Sequence, residues 1–142
     1  MPQKCRLLFV DDESFLLRAY RRTFAGDYDV LTATSGLDAL ALLATETVDV
    51  AIVDHLMPRM SGVELIRQIK ETHPEIPCLI VTGYADFEEV RQASRSGLAL
   101  AVISKPWKKE ELEQWIVQIN RLSGMHRAVG DLKAWHKRTT SP

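Results

Sequence analysis

The 142-residue sequence has few cysteines and no long hydrophobic run. Its two cysteines, Cys5 and Cys78, lack CxxC spacing and a nearby histidine cluster, so we expect buried thiols that bind no metal. They lie in the first and fourth strand-like runs, which a 2-1-3-4-5 sheet would hold too far apart for a disulfide. The four histidines also lack ligand spacing, and we expect each, including His55, to be a surface or partly packed residue. The longest apolar runs, such as 98–103, are far shorter than the roughly 20 residues that a membrane-spanning helix needs. The sequence therefore predicts no membrane span.

A strong charge of either sign is also missing. The 18 basic residues nearly balance the 19 acidic ones, which gives a formal net charge of -1 at pH 7. Domains that bind nucleic acid normally carry a concentrated basic patch, so we do not expect direct nucleic-acid binding. Residues 1–6 lead into a strand pattern and lack the apolar core and cleavage site of a signal peptide. We therefore expect a cytoplasmic protein.

What the sequence does contain is a repeated alternation of short apolar runs and segments of helical period. The predicted strands cover 5–10, 28–33, 48–53, 77–81 and 99–104. The predicted helices cover 14–25, 36–45, 62–72, 87–96 and 108–122. This alternation predicts an α/β fold in which right-handed crossovers place helices on both faces of a parallel sheet. A flavodoxin-like, doubly wound (βα)5 sandwich with strand order 2-1-3-4-5 suits these units.

The first predicted helix has the clearest start and stop signals. Ser14 is placed to cap its N-terminus, and Gly26 follows its last turn. Its apolar side chains recur at helical spacing, which predicts a single buried stripe. That stripe would consist of Phe15, Leu16, Ala19, Tyr20 and Phe24.

The composition changes near Leu122. Residues 121–142 hold five basic residues against one acidic residue, and apolar residues recur there at helical spacing. Ser123, Gly124 and Gly130 weaken a helix in this region. We therefore divide the chain into a domain at 1–122 and a basic tail at 123–142. The tail is either a linker or an amphipathic helix able to pair with a second copy in a homodimer.

Residues that can carry chemistry follow four of the predicted strands. Open α/β sheets bind ligands beyond the C-terminal ends of their strands, so these residues should lie close together. They are three or four acids, a hydroxyl and an ammonium: Asp11, Asp12, Glu13, Asp54, Thr82 and Lys105. Taken singly, an acid there could favour a helix N-terminus, a threonine could serve a turn, and a lysine could be solvated. Their joint placement at one sheet edge favours a binding site.

The acids in this set are crowded. Neighbouring carboxylates disfavour one another's ionisation unless a cation lies between them, and Mg²⁺ prefers such oxygen ligands. We predict Asp12 and Asp54 as direct Mg²⁺ ligands, with Asp11 acting directly or through water. Asp54 stands alone after the central strand, which makes it the candidate nucleophile for forming an aspartyl phosphate. Lys105 and Thr82 would then contact the phosphoryl oxygens.

Four stretches, FVDDES, VDHLMPRMSG, IVTGYAD and ISKPW, resemble the motifs of response-regulator receiver domains in their order and separation. The resemblance covers about residues 6–122. It implies a phosphorylation-dependent signalling switch of a two-component system and not an enzyme. A sensor histidine kinase or a phosphotransfer protein is the implied donor, and Asp54 is the implied phosphoacceptor. An output domain, fused or separate, is also implied.

The resemblance further implies a role for the other residues of the set. By this resemblance Asp11 and Asp12 are the acidic pair that holds Mg²⁺. Thr82 is implied as the switch hydroxyl, and Lys105 as the lysine that pairs with the phosphate. The backbone carbonyl of Leu56 is implied as a further Mg²⁺ ligand.

Several positions refine the resemblance. TGYAD and KPW, with Gly97 eight residues before Lys105, are similar to receivers that carry HD-GYP or hydrogenase-regulating output domains. Val102 occupies the family's usual aromatic switch position, three residues before the lysine, so this sequence has no ring to rotate there. Leu56 and Tyr84 flank the implied approach of water to the phosphorus. Neither side chain carries an acid or an amide well suited to orient water, and both are bulky enough to exclude it, which predicts slow loss of the phosphoryl group.

Three alternatives share the fold or the chemistry. A phosphorylation-independent, receiver-like interaction module would not need the intact acidic set. A flavodoxin-like redox protein would place a cofactor phosphate against the acids at 11–13, where charge repulsion disfavours it. A phosphatase of the haloacid dehalogenase type needs a second acid two residues after its nucleophile, where this chain has Leu56.

Overall fold

A computed structural model describes residues 4–123, and these residues form five strands that alternate with five helices. In chain order they are β1 (Arg6–Val10), α1 (Ser14–Phe24), β2 (Asp29–Ala33), α2 (Gly36–Leu43), β3 (Val50–Asp54), α3 (Gly62–Thr72), β4 (Cys78–Thr82), α4 (Glu88–Arg95), β5 (Ala101–Ser104) and α5 (Lys109–Ser123). All neighbouring strands are parallel, in the order β2-β1-β3-β4-β5. The predicted α/β sandwich and its 2-1-3-4-5 order are therefore confirmed. The predicted tail, beyond its first residue, lies outside the described residues.

The strand ends are the part of the fold that positions the site. Observed and predicted element boundaries differ by at most two residues. The largest consequence concerns β3, which includes Asp54 as its last residue instead of ending before it. Asp54 is paired in register with Val81 of β4, so the ladder fixes its backbone. A residue on a paired strand is held more firmly than one on a loop.

The buried stripe of α1 agrees with the predicted one at Tyr20 and Phe24 but differs from it near the start of the helix. Its buried side chains are Leu17, Tyr20 and Phe24, at the i, i+3, i+7 spacing of one helix face. Phe15 lies on the other face and is 56% exposed, so its place in the predicted stripe was wrong. Ser14 is the first residue of the helix, and Glu13 occupies the N-cap position without a side-chain capping bond. The predicted Ser14 cap was therefore also wrong.

Two apolar layers cover the two faces of the sheet. In β1, Leu8 and Val10 face a cluster that includes Ile66 of α3, because alternate residues of a strand point to opposite faces. Phe9 faces the other cluster, which includes Leu112 of α5. Buried β-branched and aliphatic residues on both faces explain why the strands read as continuous apolar runs.

The predictions for the two cysteines and for membrane-spanning helices can be compared with this fold. Cys5 and Cys78 are buried and are not joined by a disulfide, as predicted, because β3 lies between β1 and β4. Within residues 4–123, none of the helices combines the length and the apolar character that crossing a membrane requires.

Candidate functional site

The C-terminal ends of β1, β3, β4 and β5 bring the predicted residues to one edge of the sheet. Asp54 ends β3 and Thr82 ends β4, while Asp11 directly follows β1 and Lys105 directly follows β5. One carboxylate oxygen from each of Asp11, Asp12 and Asp54 lies within 4.8 Å of the others. The residues that sequence analysis placed together are therefore close in space.

The Lys105 ammonium lies between two of these carboxylates. Its Nζ donates a hydrogen bond to Asp11 Oδ2 at 3.2 Å and lies 3.4 Å from Asp54 Oδ1. Burial lowers the pKa of Lys105, but the nearby Asp54 and Asp11 carboxylates outweigh burial and raise that pKa overall. The lysine is thus held in its charged form beside Asp54.

Asp54 carries an unfavourable charge in the metal-free protein. Its side chain is buried, and burial together with the charge of Asp11 raises the pKa of Asp54 to about 6. The Lys105 ammonium opposes this shift without cancelling it, and Asp12 adds a smaller rise. A divalent cation between the carboxylates would relieve this repulsion. Hard carboxylate oxygens at this spacing, one of them on an exposed residue that leaves room for water, fit Mg²⁺.

The two adjacent aspartates after β1 have different surroundings. Asp11 is 1% exposed, and its backbone N–H donates to the Ala33 carbonyl. One Asp11 carboxylate oxygen accepts from the Glu13 N–H at 2.9 Å, and the other accepts from Lys105. Asp12 is exposed. The Asp12 carboxylate is therefore the more accessible of the two.

Thr82 joins the ends of β4 and β5. Its side chain is fully buried, and its hydroxyl oxygen accepts a hydrogen bond from the Tyr84 N–H at 3.0 Å. Its backbone carbonyl accepts from the Lys105 N–H at 2.9 Å. A hydroxyl that accepts still has its own O–H to donate. A movement of Thr82 would therefore displace both the loop that leads to α4 and the backbone of Lys105.

The loop between β3 and α3 is fixed directly beside Asp54. The Gly62 N–H donates to the His55 carbonyl at 2.8 Å, and a Cβ at position 62 would collide with the Asp54 carbonyl oxygen. This close approach requires glycine. Leu56 lies in the same loop, two residues after Asp54, and its side chain is 43% exposed.

His55 is a residue that sequence analysis misjudged. It is 2% exposed, its ring packs edge-on against Phe87, and its Nε2 lies 3.8 Å from Glu89 Oε2. The Ser61 hydroxyl donates to the other Glu89 oxygen at 3.4 Å. The prediction of a surface or partly packed histidine was wrong because α4, distant in the chain, covers this ring. Glu89 thereby connects α4 to the loop that follows β3.

An aromatic stack was also missed. Phe9 of β1 stacks on Tyr20 of α1, with centroids 4.2 Å apart, and Tyr20 stacks on Trp107, with centroids 4.8 Å apart. Trp107 follows the Lys105–Pro106 peptide bond, which is cis. The three rings come from three distant segments, so no local spacing signals the stack. The only hint in the sequence is a tryptophan in an otherwise polar loop.

A five-stranded parallel sheet with an acidic group at one edge defines a class of α/β domain, and comparison with known proteins gives the family. Residues 7–117 match the family model described as the response regulator receiver domain, so the chain belongs to that family. The chain is 33% identical over 129 residues to the hydrogenase transcriptional regulatory protein HoxA of Cupriavidus necator H16. That alignment covers 88% of this chain and 27% of HoxA. The chain thus spans about a quarter of this relative's length.

Two solved structures share the fold. The signal receiver domain of an HD domain-containing protein from Pseudomonas fluorescens Pf-5 has a TM-score of 0.80 at 26% identity. A CheY-like response regulator receiver domain protein from Methanospirillum hungatei JF-1 has a TM-score of 0.80 at 28% identity. Each match covers 86% of this chain and 98% of the other. The likeness to a hydrogenase regulator and to an HD-domain receiver agrees with the resemblance of TGYAD and KPW, and the family assignment does not agree with a flavodoxin-like redox protein.

Receiver domains are signalling modules of two-component systems. The chain is therefore a signalling domain of a response regulator, and its acidic site has the character typical of the family.

Proposed function

We propose that this receiver domain is a phosphorylation switch whose phosphoacceptor is Asp54. The observation that carries the proposal is the position of Asp54, buried at the end of β3, 3.4 Å from Lys105 and grouped with two further aspartates. A carboxylate oxygen of Asp54 attacks the phosphorus of a phosphohistidine on a sensor histidine kinase or a phosphotransfer protein. A P–O bond forms as the P–N bond breaks. The electron pair returns to the imidazole nitrogen, which takes up a proton from solvent.

The acidic group would hold Mg²⁺. The carboxylates of Asp12 and Asp54 and the backbone carbonyl of Leu56 are the proposed direct ligands, and Asp11 acts directly or through water. When bound, Mg²⁺ supplies positive charge that offsets the negative charge of the phosphoryl oxygens. Asp11 has a second role, since its contact with Lys105 keeps the ammonium beside Asp54 before the phosphoryl group arrives.

Lys105 and Thr82 recognise the transferred group. The Lys105 Nζ is already within 3.4 Å of Asp54 Oδ1, so a small shift pairs it with a phosphoryl oxygen. The Thr82 O–H donates to another phosphoryl oxygen, and this pull moves the loop before α4. Phosphorylation thereby biases two pre-existing states of the α4–β5–α5 surface. Val102, partly buried on β5, offers no aromatic ring for this coupling.

The proposed switch needs partners on both sides. The kinase or phosphotransfer protein supplies the phosphoryl group, and an output domain, fused or separate, reads the altered surface. HoxA, which this chain matches over 27% of its length, is a transcriptional regulatory protein. We place the domain in the cytoplasm and assign nucleic-acid binding to an output domain and not to the receiver itself. The alternative function is that of a receiver-like module that binds its partners without being phosphorylated.

Labelling by a small phosphodonor tests the proposal. With acetyl phosphate and Mg²⁺, the wild-type chain should gain one phosphoryl group by intact mass, and Asp54→Asn should gain none, because an amide is not a nucleophile for phosphorus. Asp27→Asn, an exposed aspartate away from the site, is the matched control and should be labelled like the wild type. Equal labelling of Asp54→Asn and the wild type would reject Asp54 as the acceptor. An unlabelled wild type would favour phosphorylation-independent interaction.

A further inference from the structure

We propose that Trp107 is a positioning residue that holds Lys105 at the site, an inference that rests on the proposed phosphoryl transfer and deepens it. Lys105 is 24% exposed in its side chain and reaches Asp11 and Asp54 from the loop between β5 and α5. A lysine side chain is long and flexible, so its ammonium stays in place only if the backbone that carries it is fixed.

On its N-terminal side the loop is fixed by a hydrogen bond. The Lys105 N–H donates to the Thr82 carbonyl at 2.9 Å. The next backbone hydrogen bond along the loop is Leu112 N–H to the Lys108 carbonyl, which belongs to the first turn of α5 and does not reach the sheet. Between these two points, the indole of Trp107 packs against the core and thereby ties the loop to the rest of the domain.

That indole packs into a continuous stack. Its ring lies 4.8 Å from the Tyr20 ring at an interplanar angle of 12°. Tyr20 in turn lies 4.2 Å from Phe9 at 16°, and the Phe24 ring is 6.0 Å from Trp107. Tyr20 and Phe24 are buried on the face of α1 that covers the sheet. The loop is thus attached through rigid rings to α1 and β1, both of which are firmly packed.

The stack and the ion pair of the site join the same two segments. Phe9 of β1 lies two residues before Asp11, and Trp107 lies two residues after Lys105. The rings therefore set the separation between the two backbones from which the Asp11 carboxylate and the Lys105 ammonium extend. A smaller side chain at position 107 would leave the ion pair without this support, and the ammonium would occupy a wider range of positions.

Substitution of Trp107 should change the phosphorylation rate but not the Mg²⁺ affinity. Trp107→Ala should lower the rate of phosphorylation by acetyl phosphate about tenfold, because a misplaced charged group loses much of its effect on a reacting centre. Trp107→Phe retains a ring for Tyr20 and should recover most of the rate. Mg²⁺ affinity should remain within about twofold in both variants, since Lys105 is not a metal ligand. A tryptophan needed only for packing would lower both quantities together.

The matched control is Trp115→Ala. Trp115 is on α5, is 38% exposed and lies outside the stack, so its removal should leave the rate unchanged. A double-mutant cycle then tests whether Trp107 acts through the lysine. Lys105→Ala with Trp107→Ala should be no slower than Lys105→Ala alone. Independent, multiplying losses in the double variant would overturn the inference.

A readout without a phosphodonor keeps this inference separate from the proposed function. Amide hydrogen exchange in the peptide that includes Lys105 should be faster in Trp107→Ala than in the wild type, and unchanged in Trp115→Ala. If the wild type is never phosphorylated but this exchange pattern is found, the proposed function fails and the positioning role stands. If exchange at Lys105 is the same in all three proteins, the positioning role is wrong whether or not Asp54 is phosphorylated.

Discussion

The residue whose surroundings matter most is Asp54, because the fold holds it where its charge is costly. Its carboxyl group is buried beside Asp11, and the compensation from Lys105 is incomplete, as the raised pKa of about 6 shows. Such a group is suited to bind a cation or to form an acyl phosphate. The ionised Asp54 carboxylate lowers the free energy of unfolding, and this loss can be measured.

The pH dependence of stability should expose this cost. Because the folded-state pKa of Asp54 is raised from 3.8 to about 6, its contribution to stability is complete below pH 3.8 and is lost as the pH rises through about 6. Without metal, Asp54→Asn should therefore be more stable than the wild type at about pH 7.5, by on the order of 1–2 kcal/mol after allowance for solvent screening. At about pH 4 the difference should largely disappear.

Urea unfolding in EDTA at the two pH values measures both free energies of unfolding. Asp27→Asn, on the exposed turn after α1, should track the wild type at each pH. A difference between Asp54→Asn and the wild type that is the same at both pH values would contradict the assigned cause, which is the ionisation of Asp54.

Two exposed residues should control how long the phosphoryl group survives. Leu56 is 43% and Tyr84 is 52% exposed, and the Tyr84 ring lies 5.1 Å from that of Phe87. Neither side chain carries an acid or an amide suited to orient a water for attack opposite Asp54, and both are bulky enough to exclude that water. Leu56→Asn with Tyr84→Glu should shorten the lifetime of the phosphorylated chain about tenfold, equivalent to roughly 1.4 kcal/mol in the barrier.

The decay of phosphorylated mass after removal of the phosphodonor gives this lifetime. Leu37→Asn, at a 61% exposed position on α2, is the control for a polar substitution elsewhere. Decay of the double variant at the wild-type rate would show that these side chains do not control access of water.

Residues at strand ends were predictable, and residues that depend on distant partners were not. Asp11, Asp54 and Lys105 could be grouped because parallel strands present their C-terminal ends at one edge. The burial of His55 and the packing of Trp107 depend on α4 and α1, which are far away in the chain. A one-dimensional pattern carries no signal for such contacts. The roles of the site residues themselves remain predictions that the labelling experiments test.

Among the elements, α3 begins directly against the backbone of Asp54 and His55. Alanine is the better helix former, so helix propensity alone would make Gly62→Ala favourable by about 1 kcal/mol. The structure predicts the opposite, because the added Cβ meets backbone atoms, among them His55 Cα at 2.8 Å. Gly62→Ala should destabilise the domain by roughly 2 kcal/mol and slow phosphorylation by displacing Asp54.

Thermal or urea unfolding measures the loss of stability. Gly26→Ala is the matched control, since no atom lies within 4 Å of a Cβ built there, and it should be neutral or slightly stabilising. A Gly62→Ala variant as stable as the wild type would show that the loop can shift away from Asp54 at little cost.

The order of elements was more predictable than their faces. Apolar runs separated by helix-period segments specified the five strands and helices to within two residues. The buried face of α1 was misjudged at Phe15, because this residue lies on the opposite side of the helix from the buried Leu17, Tyr20 and Phe24. Periodicity indicates that a helix has an apolar face, whereas packing against neighbouring elements decides which apolar side chains are buried.

For the molecule as a whole, the open question of assembly concerns the surface of α5. Trp115 is 38% and Leu122 is 83% exposed on this helix, which leaves apolar area for an additional contact. The basic tail predicted from the sequence follows directly. The tail could extend the apolar surface of α5 and pair with the tail of a second copy. In that case, a chain ending at Leu122 should sediment as a smaller species than the full chain at equal concentration. Monomers of both chains would reject tail-dependent dimerisation.

The whole-molecule account rests on one covalent event at one residue, and borohydride trapping in the wild-type chain tests it most directly. Borohydride reduces an aspartyl phosphate to homoserine, so peptide mass spectrometry after reaction with acetyl phosphate and Mg²⁺ identifies the acceptor without any substitution. The account predicts homoserine at position 54, with Asp11 and Asp12 unmodified. Homoserine at position 11 or 12, or a phosphorylated chain that yields no homoserine, would contradict the assignment of Asp54 as the phosphoacceptor.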